Sequence, residues 1–84
     1  MNGVEYYVIR LEPISREDGP VEGLKLRLQA SRRSGADRQD LEVCGSEDSV
    51  ARLFNAMQDQ VKRLQPLTLN DLRASCAALK LELL

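Results

Sequence analysis

The sequence predicts a two-layer α+β domain: an antiparallel sheet of three strands, a fourth strand being an open alternative, followed by two helices in the order β-β-β-α-α. Three observations carry this expectation. Before Gly45, three stretches alternate apolar and polar residues with a period of two. After Gly45, apolar residues recur at the 3.6-residue period of a helix, and Pro66 divides that helical region in two. The 84 residues are expected to form one small domain, a size at which folding buries only roughly 60 to 65% of the surface of the unfolded chain.

The first strand is expected from Val4 to Glu12, VEYYVIRLE, rich in β-branched and aromatic residues. Alternation places Tyr7, Ile9 and Leu11 toward the core and leaves Tyr6 and Val8 on the outer side. Pro13 to Gly23 holds Ser15, Asp18-Gly19-Pro20 and Gly23, a cluster of turn formers that reads as a long hairpin connection. Leu24 to Ala30 alternates without interruption, with Leu24, Leu26, Leu28 and Ala30 inward and Lys25, Arg27 and Gln29 outward. A polar loop, Ser31 to Arg38, leads to a third strand, Gln39 to Cys44, with Leu41 and Val43 inward. Centring that loop near Ser34 and Gly35 sets Leu28 opposite Leu41, Leu26 opposite Val43, and Arg27 opposite Glu42.

Ser46 is a natural N-cap for the first helix, with Glu47 and Asp48 in the first turn, where carboxylates favour the helix dipole. Val50, Leu53, Phe54, Met57, Val61 and Leu64 form its apolar stripe, and Asp48 with Arg52 and Asp59 with Arg63 are i,i+4 ion pairs. Pro66 ends this helix near Gln65, because the residue before proline resists the α region. Thr68 then caps a second helix, with Asp71 at the third position in place of the usual Glu of a capping box. Leu69, Leu72, Cys76, Leu79 and Leu83 follow a narrow helical seam to the end of the chain. Leu79-Lys80-Leu81-Glu82-Leu83 also alternates as a strand would, so a helix that stops near Ala78 before a fourth strand stays open.

Composition limits the chemistry. Twelve Lys plus Arg stand against thirteen Asp plus Glu, giving a net charge of −1, and there is no His and no Trp. Without imidazole there is no His general base, no His-containing zinc site and no Ser-His-Asp or Cys-His system. Cys44 and Cys76 have no further thiol or imidazole to complete a metal site and are expected to be small buried hydrophobes. The acidic pairs Glu17-Asp18 and Glu47-Asp48 have no inferable apolar pocket to separate their pKa values, and the second is explained by capping. No nucleophile elbow and no phosphate-cradling glycine motif is present. The expectation is therefore a protein without catalytic residues, metal or cofactor. No apolar run is long enough to span a membrane and the first residues carry no signal-peptide pattern, so a cytoplasmic location is expected.

Binding remains. Arg32 and Arg33, with Arg38, place guanidinium groups at a hairpin tip, where they can reach carboxylates or phosphates. Nucleic acid is the alternative partner, disfavoured by the neighbouring Asp37 and Asp40 and by the lack of an aromatic residue in the loop. Tyr6 and Val8 on the outer side of the first strand, and Leu83 and Leu84 at the end of the last segment, are the apolar candidates for a protein contact. The order of three strands followed by a helix beginning Gly45-Ser46-Glu47-Asp48-Ser49-Val50 resembles the partner-binding part of HicB-type antitoxins. That resemblance covers element order alone, and no site or activity is carried over from it. The expectation is a small, non-catalytic protein-binding module of the adaptor, antitoxin-like regulator or phage-type inhibitor kind, with a homodimer as a reasonable state for so small a domain.

Overall fold

The computed structural model describes residues 4–15, 19, 21–30 and 38–84. Strands β1 (Glu5–Ser15), β2 (Val21–Ala30) and β3 (Arg38–Cys44) are followed by helix α1 (Glu47–Arg63), the two-residue strand β4 (Leu67–Thr68), helix α2 (Leu69–Ala78) and the two-residue strand β5 (Glu82–Leu83). All pairings are antiparallel, and the sheet runs β4-β1-β2-β3-β5. The expected α+β architecture holds, with five strands in the sheet. The short β4 and β5 each lie beside one helix end and have too few residues to show a period, which is why pattern alone passed over the first and left the second open.

One core joins the sheet to both helices. Leu24, Leu26 and Leu28 of β2 are fully buried, and Val8, Val43, Val50, Leu53, Met57, Leu67, Leu72, Cys76 and Leu81 complete the cluster. The seam of α2 is thus spent inside the molecule: Leu72 and Cys76 are buried, and Leu69 and Leu79 pack at the margin. Gly23 is required by close approach, since a Cβ there would lie 2.8 Å from the carbonyl oxygen of Val43.

Three expectations about the sheet are corrected. The first concerns the faces of β1. Val8 lies opposite Leu28 but Arg10 lies opposite Arg27, so Ile9 is the extra residue of a β-bulge. The bulge reverses the alternation: Tyr6 and Val8 face the core, Ile9 is 43% exposed, and Leu11 returns to the core side. Tyr6 sits across from Ala30, a large side chain against a small one. The second correction is the β2–β3 register, in which Leu26 meets Leu41, Leu24 meets Val43, Arg27 meets Asp40 and Lys25 meets Glu42. This keeps every residue on its expected face and gives both basic residues of β2 an acidic neighbour, where the expected register served only Arg27. Thirdly, β1 continues through Pro13 to Ser15 and β2 begins at Val21, which shortens the expected connection. Proline is tolerated in an edge strand, where its missing N–H need not cost a ladder bond.

The helix starts match expectation, α1 ends two residues before the expected Gln65, and α2 ends at Ala78, as the strand alternative has it. The Ser46 hydroxyl accepts the Ser49 N–H at 3.2 Å. The Thr68 hydroxyl accepts the Asp71 N–H and the Asp71 carboxylate accepts the Thr68 N–H, both at 3.1 Å, a reciprocal capping box. The two expected ion pairs of α1 are present, Arg52–Asp48 at 3.3 Å and Arg63–Asp59 at 3.5 Å. α1 stops at Arg63 because Leu64 turns left-handed (φ 52°), which takes its side chain off the stripe and leaves it 72% exposed. α2 ends in the same way. Lys80 is left-handed (φ 59°), its N–H bonds Ala77 O at 3.1 Å, and the Leu81 N–H bonds Cys76 O at 2.8 Å. These are the two bonds of a Schellman motif, with Cys76 and Leu81 both buried in the core cluster. The turn sends the chain into β5, where Leu83 pairs with Val43 and Glu82 with Cys44, so the strand alternative for the last segment is the one observed.

Candidate protein-contact edge

The two short strands cover opposite corners of the sheet. β4 pairs only with Glu5 and Tyr6 of β1, and β5 only with Val43 and Cys44 of β3. Among the described residues, no strand pairs with the outer side of β1 from Tyr7 to Ser15. An uncovered strand offers its outward N–H and C=O groups to a further chain.

Beside this edge lies an apolar cleft. Ile9, Arg10 and Leu11 of β1 and Phe54, Gln58, Val61 and Lys62 of α1 line a shallow depression of about 260 Å³ between strand and helix. Phe54 and Val61 are only half-buried, because the inward line of α1 is filled by Val50, Leu53 and Met57. The bulge brings Ile9 into the cleft. Arg10 and Lys62 put positive charge on its rim.

The outer face of the sheet is a lattice of charges. One row across the strands reads Arg10, Arg27, Asp40, and the next reads Glu12, Lys25, Glu42. Arg27 grips Asp40 bidentately, Nε to Oδ1 at 2.9 Å and Nη2 to Oδ2 at 3.1 Å. The hydrogen bond and charge of Arg27 hold the Asp40 carboxyl below its usual pKa, and Asp40 in turn raises that of Arg27. Arg10 is less well served: it faces Arg27 across the ladder, and its carboxylate neighbour, Glu12, is 4.0 Å away. With the signs interleaved, this face carries no continuous basic stripe among the described residues.

The sequence-predicted site residues are scattered. Arg32 and Arg33 lie outside the described residues, as do Glu17 and Asp18. Arg38 is exposed at the start of β3, where its Nε donates to Gln29 Oε1 at 2.9 Å. Val8 is 4% exposed and Tyr6 half-buried against the core, so their placement on an outer contact face is corrected by the bulge. Leu83 is half-buried in β5, and Leu84 is 67% exposed, with its N–H donating to Glu42 O at 2.8 Å. The residue that sequence reasoning missed is Ile9. Its signal was the unbroken apolar run Tyr6-Tyr7-Val8-Ile9, which favours neither parity and so marks a place for a bulge.

Both cysteines are free thiols, Cys76 buried and Cys44 half-buried, and burial raises the Cys76 pKa. Among the described residues there is no group of three or more acidic or cysteine side chains placed to hold a metal ion, and no helix long and apolar enough to cross a membrane. Compared with protein-family models, curated proteins and solved structures, the chain matches none, so the functional reading rests on its own residues.

Proposed function

We propose that this protein is a non-catalytic binding module that meets another protein chain along the uncovered edge of β1, by strand addition and burial of the adjoining cleft. The observation that carries the reading is the coincidence of a strand side, Tyr7 to Ser15, that is unpaired among the described residues with exposed Ile9 in an apolar cleft. Main-chain hydrogen bonds supply affinity in such contacts and side-chain pockets supply selectivity. The interleaved charges of the outer face favour protein over nucleic acid, whose backbone needs a run of one sign.

Photocrosslinking tests this. A benzophenone amino acid replaces Ile9 in one variant and Asn55, exposed on α1, in another, and each is irradiated in extract of the native cell. A discrete protein adduct at position 9 with none at position 55 is expected. Equal labelling at both positions, or none at position 9, contradicts the reading.

A further inference from the structure

We propose that the chain that pairs with the uncovered edge of β1 is β1 of a second copy, running antiparallel about a two-fold axis through Leu11. The inference rests on the reading of this edge as a protein contact and commits to its occupant. Two independent features of β1 place the axis at the same residue.

One is extent. Tyr6 is already paired with Leu67, so the free ladder begins at Tyr7. It ends at Ile14, after which the pairing of β1 with β2 turns irregular. With Ile9 bulged out of the ladder, the middle of this stretch is Leu11. A two-fold there sets Tyr7 opposite the partner's Ile14 and Val8 opposite the partner's Pro13, filling both free edges without displacing β4. Faces also match: Val8, Leu11 and Pro13 belong to the core side, and Tyr7, Arg10, Glu12 and Ile14 to the outer side. The sterically awkward positions, the bulge and the proline that lacks an N–H, fall on neighbouring rungs, and the central rungs are regular.

The other is charge. Residues opposite each other in an antiparallel pair share a face, so a symmetric register is centred on a residue. Centred on Arg10 it sets arginine against arginine, and centred on Glu12 it sets glutamate against glutamate. Centred on Leu11 it sets Arg10 against the partner's Glu12, twice by symmetry. Directly opposed like charges weaken a sheet and opposite ones support it. This register gives Arg10, which within its own chain faces Arg27 and lies 4.0 Å from Glu12, a carboxylate on its open side. Leu11 then meets the partner's Leu11, and the two Ile9 clefts flank the joint.

Sedimentation velocity over a concentration series tests the proposal on the full chain and on Arg10→Glu, Glu12→Arg and the double exchange. Both side chains are exposed, 63% and 54%, so the variants keep the fold, as circular dichroism checks. A reversible wild-type dimer is expected, weakened on the order of tenfold or more by either single exchange and restored by the double exchange. A wild type that is monomeric throughout overturns the proposal, as does a dimer indifferent to all three variants. A monomer that still crosslinks another protein through position 9 separates the outcomes: the second copy is refuted and the contact edge stands.

Discussion

β1 and β2 pair along most of their lengths, yet from Leu24 to Ala30 β2 keeps an unbroken alternation while β1, facing it, breaks its own. In that stretch each inward position of β2 is a buried Leu or Ala and its outward positions carry Lys25, Arg27 and Gln29, so one reading of its sequence is possible. β1 contains four consecutive apolar residues, and the chain resolves that ambiguity by bulging at Ile9. The difference follows from position in the sheet. β2 is held between two long strands, where a slipped register would bury charges. Among the described residues β1 has one long neighbour and a side left open from Tyr7 onward, so it can take a bulge and a proline and turn an apolar residue outward.

The sharpest break of this comparison exchanges adjacent residues of β1. Val8→Asp places a carboxylate in the core opposite Leu28 and is expected to cost several kcal/mol, enough to abolish a cooperative thermal transition in a domain of this size. Ile9→Asp is expected to leave the melting temperature nearly unchanged. The reverse outcome restores the unbulged alternation, with Ile9 inward.

Gly23→Ala probes the tightness of β2 against β3. The added methyl meets backbone, the Val43 carbonyl oxygen, which cannot move aside as a side-chain tip can. A loss of about 1 to 3 kcal/mol in denaturant unfolding is expected. A neutral substitution places the two strands further apart than described.

The smallest effect concerns the charge lattice. The Asp40 carboxyl has a lower pKa folded than unfolded, so the folded state binds fewer protons there in mild acid. Its contribution is complete above about pH 4, the usual carboxylate range, and is lost as pH falls through the lowered value. Asp40→Asn is expected to flatten that part of the acid limb slightly. An unchanged limb argues against the Arg27–Asp40 bond in solution.

Legibility followed the same physical divide. The strands before Gly45, both N-caps and the ion pairs of α1 rest on local patterns, and they were readable: Ser46, Thr68 and Asp71 bond within a few residues of themselves. The left-handed turns that close the helices were not, because Leu64 and Lys80 stand where glycine ordinarily signals them. The β2–β3 register depended on which of two charge pairings wins, and a count of one matched pair selected the wrong one. Arg38, expected among the contact residues, begins β3 and lies apart from the candidate edge of β1. The open edge of β1 was not legible, since it is defined by where β4 stops, and a two-residue strand leaves no periodic trace.

Residue-resolved amide hydrogen exchange at low and high protein concentration tests the central claim, that β1 is where one chain meets another. The account predicts that edge amides in the Arg10 to Glu12 segment gain protection as concentration rises, while those of β2 stay unchanged. Edge amides of β1 that exchange at the same rate at every concentration would contradict it.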